Sequence, residues 1–302
     1  MTAFAIKRES TEKELPMTTI MTASVGNCIH PNRNSTGQLL NSFKGVKRMI
    51  LALLLATVSI PFFVVNAFAV TNGQPDGTQH PYVGLADNGE FACSGTLLSP
   101  TVFLTAAHCF NSGDRVRITF DPNGFFNAQR LSFFGTYFPD PDFCLACGGG
   151  LPGFDTHDVA IVVLESPVPT SVVSRYGQLP TQGLVDTLAM KTEVALVGYG
   201  VQNFIRGGGK PRAGDIFTRF FAPSLLIQSN DVLQDQFIKI TANPAQGKGG
   251  SCFGDSGGPD ILGGTDTVLA LNSFVTNGNC SGVTYSFRID TPEALAYIHQ
   301  FI

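Results

Sequence analysis

The sequence predicts an all-β protein closed by one C-terminal helix, and three observations lead there. Gly 33 and Pro 18 among 302 residues mark many turns, with no Gly-X-Y period. A hydrophobic share of 43% against 14% charged is a globular composition rather than a disordered one. Short apolar runs then recur between turn residues from Tyr82 onward, which is the spacing of a sandwich or barrel. A chain near 300 residues allows one large or two ordinary domains, either able to bury a core. The net charge of −4 supplies no attraction to phosphate, which argues against a nucleic-acid partner.

Residues 1–48 are polar with no apolar period, and are expected to be disordered or not translated. Residues 49–69 form an uncharged apolar run directly after Lys44, Lys47 and Arg48. A basic start, an apolar centre and Ala67-Phe68-Ala69 at the end are the parts of a secretory signal, with the cut expected after Ala69. An uncleaved membrane anchor is the alternative, since about 20 apolar residues can span a bilayer. Pro61 and Asn66 argue for cleavage. The leader holds 7 Lys+Arg and 3 Asp+Glu, so residues 70–302 carry 12 against 20 and are clearly acidic.

Within 70–302 the expected strands are Tyr82 to Leu85, Ser94 to Leu98, Val102 to Ala106, Val116 to Phe120, Val159 to Leu164, Glu193 to Val197, Phe237 to Ile240, Val268 to Phe274 and Val283 to Phe287. Pro223 to Gln236 reads as a longer connecting loop. Pro292 to Phe301 is the expected helix: Thr291-Pro292-Glu293 is start chemistry, and Leu295, Ala296, Ile298 and His299 recur at helical spacing. The aromatic cluster Phe125, Phe126, Phe133, Phe134, Tyr137 and Phe138 is assigned to barrel core, with a surface patch as alternative.

Six of the seven cysteines lie after the leader: Cys93, Cys109, Cys144, Cys147, Cys252 and Cys280. An even count behind an export signal suggests disulfides and an oxidising compartment, extracellular or periplasmic. Cys144 and Cys147 read as a short surface disulfide, with a zinc or redox Cys-x-x-Cys as alternative. No metal site and no cofactor is expected, and residues 114–121 lack a convincing calcium ligand set.

Three segments carry chemistry: Leu104-Thr105-Ala106-Ala107-His108-Cys109, His157-Asp158-Val159-Ala160, and Gly254-Asp255-Ser256-Gly257-Gly258-Pro259. A serine hydroxyl is a poor nucleophile at neutral pH and needs a histidine to take its proton. That imidazole needs a carboxylate to hold its tautomer and stabilise its charged form. Glycines beside a nucleophile let the backbone turn so that amides converge on a developing oxyanion. His108, Asp158 and Ser256 occur in that order with gaps of 50 and 98 residues. Together these motifs resemble the chymotrypsin/trypsin family of serine endopeptidases, over essentially all of residues 70–302.

The resemblance implies two packed six-stranded antiparallel β-barrels, with His108 and Asp158 from the first and Ser256 from the second. It implies an oxyanion hole at the amides of Gly254 and Ser256, and support of Asp158 by Ser273. It pairs Cys93 with Cys109 and Cys252 with Cys280; the first closes a loop of about 16 residues, worth roughly 3 kcal/mol. Val70-Thr71-Asn72-Gly73 is similar to the start of mature members, whose α-amino group pairs with the aspartate before the nucleophile, here Asp255. A cut after Ala69 would therefore also be the activating cut. The specificity pocket falls on Gly250, Ser251, Ser273, Phe274, Val275 and Gly282. With no carboxylate at Gly250, a basic substrate side chain would be buried without a counter-ion. Val275 narrows the slot, which favours small or medium apolar P1 residues, with a wider chymotrypsin-like slot as alternative.

Arg206 to Arg212 reads as a solvated loop rather than a phosphate site. The expected partners are protein or peptide substrates and protein protease inhibitors, acting on a monomer, with membrane contact only through an uncleaved leader. The competing reading is a protease-fold binding or adhesion protein with little turnover.

Overall fold

The computed structural model describes residues 6–7, 70–124, 127–150, 153–201 and 217–302. The leader beyond Ile6–Lys7, Phe125, Phe126 and the Arg206 to Arg212 loop lie outside the described residues. The chain order is β1 (Ile6–Lys7), β2 (Gln74–Pro75), β3 (Val83–Asp87), β4 (Phe91–Ser99), β5 (Val102–Thr105), β6 (Arg115–Thr119), β7 (Phe133–Pro139), β8 (Cys144–Gly148), β9 (Phe154–Thr156) and β10 (Ala160–Leu164). After these come β11 (Glu193–Gly198), β12 (Phe220–Gln228), β13 (Phe237–Ala242), β14 (Pro259–Leu262), β15 (Val268–Val275), β16 (Gly282–Arg288) and α1 (Pro292–Ile298).

Two closed barrels result. In the first, β4, β3, β6, β7, β10 and β5 pair in that order and β5 returns to β4. In the second, β11, β14, β15, β16, β13 and β12 pair in order and β12 returns to β11. Every named strand pairing is antiparallel, and closure leaves six strands per ring without a free edge. β1 and β2 add to the outside of β4 and β12, and β8 with β9 forms a separate hairpin.

Each barrel is filled by its inward-facing side chains. Phe103, Leu85, Val116, Ile118 and Val162 are buried in the first, where Phe103 meets Phe120 edge-on at 6.1 Å. Leu196, Leu226, Ile238, Ile240, Leu269 and Ala270 fill the second. Each such Val, Leu, Ile or Phe side chain contributes about 1.5–3 kcal/mol relative to exposure.

The expected Pro223 to Gln236 loop is corrected at its first half, because β12 runs through it. Pro223 faces Ala195 on one side, while pairing with β13 starts only at Leu226. The missing amide of Pro223 therefore meets no partner strand, and a proline is tolerated in a barrel strand. The aromatic cluster divides: Tyr137 is buried, Phe133 packs on Phe120, and Phe138 is exposed. α1 ends three residues before the expected Phe301. Thr291 caps it by accepting from the Ala294 amide at 3.2 Å, and Leu295 and Ile298 are buried beneath it.

Arg219 joins the barrels at their seam. Its guanidinium reaches Asp76 at 2.8 Å, donates to the carbonyls of Val83, Phe120 and Gly77, and touches the Tyr199 hydroxyl at 3.2 Å. Both members of the Arg219–Asp76 pair are buried, and Asp76 also accepts from the His80 amide at 3.1 Å and meets its ring Nδ1 at 2.5 Å.

Candidate active site

His108 lies just past the end of β5, on a turn held by Tyr137, whose hydroxyl donates to the Ala106 carbonyl at 2.7 Å. The disulfide between Cys93 and Cys109 ties the residue after His108 to β4. Asp158 sits two residues before β10, which pairs with β5, so the sheet delivers the carboxylate to the imidazole. His108 Nδ1 is 2.8 Å from Asp158 Oδ2 and 3.0 Å from Oδ1, and the His108 amide donates to Oδ1 at 3.0 Å. Ser273, on β15 of the other barrel, donates its hydroxyl to Asp158 Oδ2 at 2.6 Å.

Burial alone would raise the pKa of Asp158, but the charge and hydrogen bonds of His108, with the Ser273 hydroxyl, hold it below the ordinary carboxylate value. Burial alone would lower that of His108, and the Asp158 charge and hydrogen bond outweigh it, so the imidazole pKa is raised. An oriented imidazole with its Nδ1 proton held by a carboxylate leaves Nε2 as the base. Nε2 is buried and has no partner among the described residues.

Ser256 is buried in the turn that precedes β14. Gly254 and Gly257 flank it at φ +96° and +75°, backbone that side chains rarely adopt, and a Cβ on Gly257 would strike Thr105 and the Ala106 amide. The turn is pinned from the first barrel. The Ser94 amide donates to the Ser256 carbonyl at 2.9 Å, and the Ser94 hydroxyl donates to the Gly254 carbonyl at 2.9 Å while accepting from the Tyr199 amide. The amides of Gly254 and Ser256 engage no acceptor among the described residues. The structure thus joins His108, Asp158 and Ser273 by hydrogen bonds and sets the Ser256 turn against the same loop. It shows no hydrogen bond from the Ser256 hydroxyl to Nε2.

The residues expected to line the specificity pocket lie near one another. Gly250 pairs with Thr71 through both backbone groups, and a Cβ there would meet Ala242 and Thr284. The Ser251 amide donates to the Thr284 hydroxyl at 3.0 Å. Phe274 stacks on Tyr285 at 4.8 Å, half-buried Val275 pairs with Thr284, and Gly282 is exposed at φ +96°. Cys252 is bonded to Cys280, and Cys144 to Cys147 within β8 of the β8–β9 hairpin. Thr284 was not expected here; nothing in its local sequence distinguishes it from a strand residue, and only the register brings it to Ser251.

Asp255 is fully buried, its two oxygens accepting from the amides of Gly200 and Cys252 at 2.9 and 2.8 Å. Burial pushes its pKa up to about 7 against those hydrogen bonds. Val70 is buried among Leu196, Ala222 and Ala270 of the second barrel. Among the other buried acids, none of them distinguished by local sequence, are Asp155 and Asp260. Asp155 accepts from the Ala146 amide at 2.6 Å, and Asp260 stands on β14.

A family model described as Trypsin matches residues 70–298. A glandular kallikrein of Sus scrofa is 30% identical over 204 residues, which are 61% of this chain and 76% of that protein. A collagenase of Hypoderma lineatum is 23% identical over 258 residues, covering 77% of this chain and 88% of the other. Among solved structures, an HL collagenase superposes with a TM-score of 0.59 at 18% identity, covering 78% of this chain and 97% of that one. A mutant of human heparin binding protein gives 0.58 at 18%, with 76% and 96% covered. Two closed antiparallel barrels and a family match across nearly all of residues 70–302 make this chain a member of the trypsin family of serine endopeptidases.

Proposed function

We propose that residues 70–302 act as a secreted endopeptidase in which Ser256 attacks the scissile carbonyl, His108 serves as base and then acid, and Asp158 holds the imidazole. The observation that carries this reading is the hydrogen-bonded line from Ser273 through Asp158 to His108, with the Ser256 turn fastened beside it. Amides at Gly254 and Ser256 would receive the oxyanion, and an acyl-enzyme on Ser256 would be hydrolysed by water.

The leader would direct export and be cut after Ala69, exposing the Val70 amine to the second barrel. A carboxylate buried as deeply as Asp255 lacks a cation until that amine arrives, which supports the pairing. At the pocket base stand Gly250, Ser251 and Thr284, none of them charged, and Val275 narrows the wall. This favours small or medium apolar P1 residues.

A peptide-library cleavage profile of the secreted protein tests the reading, with S256A as control and a serine-directed phosphonate as label. Cuts after Ala or Val that vanish in S256A are expected, and V275G should move the preference toward Phe by roughly 10-fold or more. Cuts after Arg or Lys would overturn the pocket assignment alone. An unlabelled Ser256 with no cuts would overturn the endopeptidase reading.

A further inference from the structure

The interior of the second barrel has one polar region. Register aligns Leu196, Asp260 and Ala270 across β11, β14 and β15, and directly opposed residues share a face. Two residues along β15, on that same face, stands Asn272; its partner on β16 is Ser286, which in turn faces Ile238 on β13. Leu196, Ala270 and Ile238 belong to the buried cluster that Val70 also enters. Asp260, Asn272 and Ser286 therefore point into the space that holds Val70.

These side chains are at most 1% exposed. Both carboxyl oxygens of Asp260, the Asn272 amide oxygen and the Ser286 hydroxyl make no hydrogen bond of ordinary geometry among the described residues, although the Ser286 hydroxyl lies close enough to Asp260 to favour its charged form. The charge that acts on Asp260 is that of Asp255, a like charge. Of the cations on neighbouring strands, Arg288 shares the face of Ser286, but its guanidinium is held by Asp290, Asp235 and Asp186; Lys239 is turned to Gln228. Burial pushes the carboxyls of Asp255 and Asp260 up to about 7 and 8, as acids without a cation.

Three of the four unpartnered oxygens are acceptors on an acid or an amide, and an ionised acid accepts only. The group that suits them is a cation rich in donors, and a primary ammonium carries three N–H. This chain can make one at this place. When water adds across the Ala69–Val70 peptide bond, the C–N bond breaks, Ala69 keeps the carboxylate, and the freed Val70 amine takes up a proton.

We propose that Asp260, with Asn272 and Ser286, is a second acceptor site for the Val70 ammonium, so that two buried carboxyls rather than Asp255 alone hold the new N-terminus. The proposal rests on the reading that Val70 begins the mature chain. It gives the barrel interior a use for an acid that packing alone would replace with an aliphatic residue.

The test is the rate at which the Val70 amine of the secreted protein reacts with cyanate, read by mass spectrometry of the N-terminal peptide. In the unaltered protein it should react at least 10-fold more slowly than a free Val-Thr-Asn-Gly peptide. D260V should remove most of that protection, and D260N, which keeps one acceptor and the shape, should remove part of it. Near-UV circular dichroism checks the fold, and if D260V does not fold, D260N decides. Full protection in the folded variants, with loss only in D255N, would overturn the second site while leaving the pairing with Asp255 intact. A mature N-terminus other than Val70 would overturn both, and the same spectra show it.

Discussion

Replacing Arg219 with methionine tests whether the seam between the barrels rests on one buried cation. Arg219 is 2% exposed and its partner Asp76 0%, so the substitution leaves a carboxylate in the interior without its guanidinium and with the ring and amide of His80 as its remaining donors. Removing one member of such a pair typically costs about 3–5 kcal/mol. The carbonyls of Val83, Phe120 and Gly77 lose a donor at the same time, which places R219M toward the upper end. For a domain of this size 1 kcal/mol shifts Tm by about 2–4 °C, so a fall of roughly 6–20 °C is expected by calorimetry. The double variant R219M/D76L should recover part of the loss, since it removes the buried carboxylate that has lost its guanidinium and is left to His80. A fall below about 3 °C in R219M, or a double variant no better than the single, would refute the reasoning.

Two further outcomes follow from the same geometry. Because His108 has a raised pKa and, in the proposed mechanism, must be neutral to act as base, the acid limb of kcat/KM should lie above pH 6.5, the ordinary histidine value, and a limb below 6.5 would contradict it. S273A should cost about 1.5–3 kcal/mol near neutral pH, as a hydrogen bond to a charged group. Asp158 has a lowered pKa, so its contribution is present above about pH 4 and is lost as pH falls through its folded value. Removing the Ser273 hydroxyl should therefore move acid unfolding, followed by circular dichroism, to higher pH.

The fold class was legible because turn residues and short apolar runs report strands directly, and the helix because Thr291 and Pro292 mark its start. The second half of that legibility came from resemblance: nothing in spacing alone says that β5 returns to β4 or β12 to β11. β12 was partly read as loop because Pro223 usually breaks a strand, and only the absence of β13 beside it explains the exception. His108, Asp158 and Ser256 each sit in a local motif, so they could be read from residues. Thr284 and Asp260 could not, since their meaning depends on which strands lie opposite. An acid between Pro259 and Ile261 reads as a turn charge until register turns it inward.

The grip of Ser94 on the Ser256 turn has a consequence for how this protein can be divided. The amide and hydroxyl of one first-barrel serine set the carbonyls of Ser256 and Gly254, and the peptide planes that carry those carbonyls also orient the neighbouring amides. The half of the chain that contains Ser256, the proposed nucleophile, thus holds only part of the instructions for aiming it: the amides of Asp255 and Gly257 are fixed from within the second barrel, by Cys252 and Asn272, and the carbonyls of Gly254 and Ser256 from the first, by Ser94. A fragment holding only the second barrel would retain every atom of the Ser256 turn and lose the share of its alignment that Ser94 sets, and mixing the two halves would restore that share only to the extent that β4 finds its seat again.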